Sequence, residues 1–256
     1  IALGSKATGK VSAGNIETQA PLTVTSGREI AFTGGKVSGT GKDSGITFAA
    51  PQVNFAGETI FANGDGVLNF TADAFSGWEN AAFADTQDKG VIKLRRQTNA
   101  DMTVGGAEAW LNNTALSQIA AGKFYNAVIG STENSGKLIV GNIAALPHYT
   151  SMLTAGGIEL QGAITANDTD TLVLHGNGLQ EAAPLTVGKL LLWGSGDMKL
   201  DSQVNGLTTI AADMGNGSLE LKNGKSMTVD AIYNRNMEKE VAGLDTSKME
   251  ITVTIA

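Results

Sequence analysis

Two histidines, His148 and His175, are the only imidazoles in the chain, and cysteine is absent. A hydrolase or lyase needs grouped acids and bases. His148 lies in Leu146-Pro147-His148-Tyr149, a loop beside a proline, and His175 follows the apolar run Leu172-Val173-Leu174. A solvent-facing or hydrogen-bonding role outweighs proton transfer for each, because no second catalytic group accompanies either. Without cysteine there is no thiol nucleophile, no Cys-based zinc site and no disulfide framework. No nucleophile elbow, phosphate loop or zinc-binding helix occurs. Acidic residues recur in turns, at Asn63-Gly64-Asp65-Gly66, Asn167-Asp168-Thr169-Asp170 and Ser195-Gly196-Asp197. They lack both the Gly-rich nonapeptide array and the EF-hand spacing of calcium sites. Side chains bonding to their own backbone explain them. The chain is therefore expected not to be an enzyme, and no cofactor or metal is assigned.

The remaining chemistry is that of contact. A formal net charge of −7 argues against nucleic acid, because phosphate neutralisation needs clustered Lys and Arg. The one basic cluster, Lys93-Leu94-Arg95-Arg96, reads as a solvated strand edge. Glycan binders offer exposed aromatics. Trp78 and Trp110 fall in an irregular middle stretch where a groove could form, against the competing reading that they cap the core beneath an insertion. No stretch approaches the ~18 apolar residues of a membrane helix, so no membrane span is expected.

These residues must be held by something, and a returning motif indicates what. A turn residue is followed by two large apolar residues with one residue between them. Examples are Gly45-Ile46-Thr47-Phe48, Gly157-Ile158-Glu159-Leu160, Asp197-Met198-Lys199-Leu200, Ser218-Leu219-Glu220-Leu221 and Ser226-Met227-Thr228-Val229. That alternation is the period of a strand with one face buried. Strands this short are stable only when the next copy stacks on them. Composition agrees: 33 glycines and only 4 prolines suit many tight corners rather than a linker. Pairs at Leu22, Ile46 and Leu68, with secondary pairs between them, fit two or three strands per rung of ~20 residues, the pattern of a parallel β-helix. The rhythm breaks near residue 73, so an irregular or helical insertion is expected over about 73–125, with strand character returning within it at Val91-Ile92-Lys93-Leu94 and Met102-Thr103-Val104. Within it Ala107 to Ala121 is the helix candidate, with Asn113 or Thr114 as cap, Leu116, Ile119 and Ala120 on one side, and Gly122 as terminator. Strands resume at Ala127-Val128-Ile129 and continue to Met249-Glu250-Ile251-Thr252-Val253. Leu138, Leu160, Leu174, Leu192, Leu200 and Leu221 should share one narrow core. The residue inside each pair is usually polar but is apolar at Ile139, Val173 and Leu191. These would form an outer apolar stripe: a contact surface, or a face covered by the helical segment or a flanking loop.

One segment carries a family resemblance. Leu116-Ser117-Gln118-Ile119-Ala120-Ala121-Gly122-Lys123-Phe124-Tyr125-Asn126-Ala127-Val128-Ile129-Gly130, followed by Gly136-Lys137-Leu138-Ile139-Val140, resembles the helix–strand–turn–strand unit of filamentous-haemagglutinin-like exoproteins, the two-partner-secreted adhesins of Gram-negative bacteria. Ile92-Lys93-Leu94-Arg95-Arg96-Gln97 and Met102-Thr103-Val104-Gly105-Gly106 fit that context. The family often has Arg after Ile-Gly, where Ser131 stands here, and outside this stretch the chain matches in style only. The resemblance implies an all-β, right-handed parallel β-helix, secreted to the bacterial cell surface. It implies a structural or adhesive shaft serving attachment, aggregation or biofilm matrix. Residues 1–256 then form a single shaft segment, a fragment of a longer chain. Its partners would be neighbouring β-helical segments and a host-surface or matrix glycan. Two alternatives remain: a polysaccharide-active β-helix enzyme, which would need a repeated outward column of charged groups that is not seen, and a subunit that polymerises end to end.

Overall fold

The computed structural model describes residues 1–6, 9–40, 44–202, 204–245 and 250–255; Met249, the first residue of the last expected strand, lies outside them. The chain is all-β, with about 5% helix, and winds as a parallel β-solenoid of about ten turns. Each rung contributes a strand to a first face: Leu22–Ser26, Ile46–Ala49, Val67–Thr71, Val91–Arg95, Asn126–Gly130 and Tyr149–Leu153. This face continues through 171–175, 189–194 and 209–214 of the longer strands. Pairing is parallel throughout it, and like positions stack. Ile46 lies over Leu22, Leu68 over Ile46 and Ile92 over Leu68. Met152 is then followed by Leu174 and Leu192. Alternation sends these residues inward, and the register puts each on its predecessor.

A second face runs through Met102–Val104, Leu138–Val140, Ile158–Leu160, 179–181, 198–200, Ser218–Asn223 and Glu250–Ile255. The six leucines assigned to a shared core are each no more than 1% exposed and belong to one cluster. Towards the N-terminal end the core is aromatic. Phe32 stacks on Phe55, Phe48 on Phe70 and Phe61 on Phe83, each at centroid separations of 5.4 Å. The equal separations follow from register, since each pair is a Cα partnership between adjacent rungs. The corners use polar ladders as well as glycine. Buried Asn205 accepts from Leu185 N at 2.7 Å, and buried Asn223 accepts from Leu207 N at 2.8 Å. Each amide thus satisfies a backbone donor that the turn leaves unpaired.

The expected insertion is narrower than 73–125. Ala74–Ser76 and Ala81–Phe83 pair in parallel with 52–54 and 59–61, and so belong to a rung. These strands are three residues long, too short for alternation to show. Val91–Arg95 and Met102–Val104 are rung strands as well. The departure is a single helix, α1 (Asn113–Ala121), packed on Ala81–Phe83 and the 3-10 turn Trp78–Asn80. Residues 107–112 do not join it. Its cap is Asn112, not Asn113 or Thr114: the Asn112 side chain accepts from Ala115 N at 2.9 Å. Ala115, Leu116 and Ile119 form the buried side, and Ala120 is only half-buried. Gly122 ends the helix, yet at φ −73 it keeps right-handed backbone, and the left-handed residue is Lys123 at φ 44. Glycine is required at 122 for space: a Cβ there would stand 2.6 Å from the Phe124 ring and 2.8 Å from Phe83 Cβ.

Candidate functional site

The last rung of the first face is interrupted. Thr228 and Val229 pair with 209–210, and Leu244 bridges to Ala212. Between them Ala231–Asn234 and Lys239–Ala242 form an antiparallel hairpin, the one antiparallel pairing among the described strands. Its turn is set by Asn234, whose side-chain oxygen accepts from Asn236 N at 2.9 Å and Met237 N at 3.3 Å. Glu238 takes the left-handed conformation at φ 50. Alternation leaves Ile232 and Val241 on one side, directly opposite each other. That side closes on the outside of the first face, where Tyr149, Val173, Leu191, Ala211, Ile232 and Val241 make a second hydrophobic cluster, separate from the axial core.

Of the two readings of the apolar stripe, the structure shows the covered face at Val173 and Leu191 and corrects the contact surface. Val173 and Leu191 are both fully buried beneath the hairpin and offer no free contact surface. The cover is not the helix. Ile139 does not join them: it pairs with Thr103 and Glu159 on the second face, and is half-buried there. Trp78 and Trp110 are not a glycan platform either. Trp78 is 2% exposed and lies 4.7 Å from the Phe55 ring, and Trp110 donates its indole N–H to Ala72 O at 3.1 Å. Both close the core, each packed against the Phe75 ring.

The hairpin tip reaches far along the stack. Arg235 lies over two rings, 4.1 Å from the Tyr125 centroid and 4.3 Å from that of Tyr149, in the geometry of cation–π attraction. Its guanidinium also donates to Tyr125 O. Tyr149 OH accepts from Arg235 N at 3.1 Å and donates to Tyr233 O at 2.8 Å. Asn236 donates to Ser151 Oγ at 2.7 Å, Ser151 donates to Asn126 Oδ1 at 3.0 Å, and Asn126 donates back to Asn236 Oδ1 at 3.0 Å. This closed ring of three side chains fixes the tip over two rungs. Beside it opens a cleft of about 390 Å³, whose walls include Lys93, Arg95, Tyr125, Trp193, Arg235 and Glu238.

The cleft gathers positive charge on an acidic protein. Lys93 and Arg95 point outward from one strand, between inward Ile92 and Leu94. Among the described residues no carboxylate lies within ion-pairing distance of either, whereas Arg96 next to them faces Asp73 at 3.7 Å. Partial burial, then the charge of Arg95, holds the Lys93 ammonium below the usual lysine range. Arg95 Nε is buried with no hydrogen-bond partner. Burial raises the Tyr149 hydroxyl, an effect opposed by Arg235. The basic run is visible in the sequence, but its third member is not: Arg235 arrives from the other end of the chain, and nothing local marks it.

The histidines serve other ends. In the stack of the first face Tyr149 registers with Thr171 and Leu153 with His175, so His148 and His175 stand at opposite ends of the strands. His148 Nδ1 meets Asp170 Oδ1 at 3.0 Å, while His175 Nδ1 meets Thr154 O at 2.9 Å and its ring packs 4.2 Å from Trp193. Burial lowers the His175 imidazole below its ordinary value. The acidic turns act within the scaffold. Asp170 accepts from Asn167 N at 2.9 Å, and Asp197 accepts from both Ser218 N and Ser218 Oγ at 2.9 Å, tying adjacent rungs. Among the described residues no three His, Asp or Glu side chains converge as a metal-holding group. No protein-family model, curated protein or solved structure matches the chain.

Proposed function

We propose that the chain is a structural and adhesive shaft segment of a large secreted bacterial surface adhesin of the filamentous-haemagglutinin-like kind, acting in attachment, aggregation or biofilm matrix. The observation that supports this reading is the parallel β-solenoid of about ten turns. At roughly 4.8 Å per rung, ten turns reach about 50 Å. Each rung buries its apolar side chains only against its neighbours, which makes the stack a stiff spacer rather than a container. Further β-helical segments of a longer chain would extend it, and weak contacts along such a rod would add by multivalency. His148 and His175 stand at opposite ends of the stacked strands, one against Asp170 and the other against a backbone carbonyl, so they do not pair with each other as acid and base.

The test is attachment. Beads coated with the purified protein should adhere to epithelial monolayers, or to extracted biofilm polysaccharide, more than beads coated with an unrelated β-solenoid. Attachment at the control level refutes the adhesive role. Release of reducing ends from acidic polysaccharides would replace it with the enzyme reading.

A further inference from the structure

We infer that the cleft between the hairpin tip and the first face binds a carboxylated sugar, with Lys93 and Arg95 as the anion-binding pair and Tyr125 and Trp193 as flanking rings. The choice of a sugar as the bearer of the carboxylate rests on the adhesive reading above; the anion site stands on the cleft alone.

Three observations carry it. First, Lys93 and Arg95 are like charges two positions apart on the same outward side of one strand, and neither has a carboxylate partner among the described residues. Their rung neighbours offer none: Lys93 registers with Asn69 and Val128, and Arg95 with Thr71. Two unpaired, partly buried cations side by side cost stability, and a bound anion would offset that cost. Second, Arg235 is brought to the same walls, its guanidinium held over the Tyr125 ring. The one acidic wall residue, Glu238, is exposed at the hairpin turn and leaves the cations in excess. Guanidinium forks suit the two oxygens of a carboxylate. Third, the space is concave and bordered by half-exposed rings. Its volume of about 390 Å³ lies within the ~300–1,000 Å³ of small-ligand clefts. Rings beside cations are what an acidic sugar needs, since its C–H faces pack on aromatics while its carboxylate takes the charge. An extended nucleic acid would instead require a continuous basic stripe, and the described residues form none.

Isothermal titration with digalacturonate as probe tests the site, with the neutral galactose disaccharide and sodium acetate as comparison ligands. Lys93→Gln and Arg95→Gln are the variants of choice. Arg235 is left intact because it also seats the hairpin. Each variant should weaken digalacturonate at least about tenfold, the scale of a lost charge-assisted hydrogen bond. Each should melt no lower than the parent protein, since each removes a like-charge neighbour. Added salt should weaken binding in the parent. Unchanged affinity in both variants, or equal affinity for the neutral disaccharide, overturns the proposal. Equal affinity for acetate overturns the sugar and reduces the site to one for small anions. Digalacturonate binding without attachment of coated beads would overturn the adhesive reading and leave the site standing.

Discussion

Leu174 is the sharpest probe of the ladder. Its side chain is fully buried and lies in register between Met152 one rung before and Leu192 one rung after, both also fully buried. Leu174→Ala removes three carbons, which at ~0.8 kcal/mol per methylene gives roughly 2.4 kcal/mol. The cavity term adds to this, because the strands on both sides are tied by parallel pairing and cannot close the gap; the total belongs in the observed range of about 2–5 kcal/mol. For a protein of this size each kcal/mol lowers the melting temperature by about 2–4 °C, so a fall of roughly 4–20 °C is expected by calorimetry. Hydrogen exchange should accelerate most in 149–153, 171–175 and 189–194, the three rungs that share the hole. Lys199→Asp is the control. Its side chain points outward between buried Met198 and Leu200, paired with Asp201 at 3.0 Å and in register with Glu220; the reversed charge costs only surface electrostatics, so its effect should be small beside that of Leu174→Ala. Equal falls in the two variants would refute the assignment of faces, and with it the stacked core.

The hairpin should be separable from the rod. Replacing 231–242 by a short Gly-Ser link exposes Val173, Leu191 and Tyr149, at a cost of about 1.5–3 kcal/mol for each large apolar side chain uncovered; a dye that reports apolar surface should bind, while the far-ultraviolet β signal persists. Gly194→Ala should be severe, because at φ 135 its new Cβ would stand 2.2 Å from Gly176 O in the rung before; loss of soluble expression or a large drop in melting temperature checks it. His175 makes stability pH-dependent with a defined sign. Burial depresses its folded pKa below the ordinary 6.5, so between these two values the unfolded chain binds a proton that the folded chain does not, and stability falls as pH drops through that window. His175→Gln should flatten this part of the profile in urea titrations, and an unchanged slope would count against a buried neutral imidazole.

Much of the architecture was legible because its cause is local. The step from Ile158 to Leu160, or from Leu219 to Leu221, is a strand period written into consecutive residues, and it predicts an inward side whatever the rung does next. The six core leucines followed from that alone. The helix was legible in kind but not in its first residues, since Asn112, Asn113 and Thr114 can all cap and packing against Trp78–Asn80 decides among them. Face membership was not legible. Ile139, Val173 and Leu191 look alike in their triplets, yet the turns before them differ in length, so Ile139 emerges on the second face and the other two on the first. The hairpin was hidden for the same reason: Ile232 and Val241 alternate like any rung pair, and only the assembled stack shows them closing on its outside. The basic cleft lay furthest from view. Lys93 and Arg95 are written together, but their meeting with Arg235 depends on the first face carrying the terminal hairpin back across several rungs to Tyr125. Alternation is a property of neighbours in sequence, and the amino-acid order determines it; which surfaces meet across the stack depends on accumulated register, which only the assembled solenoid defines.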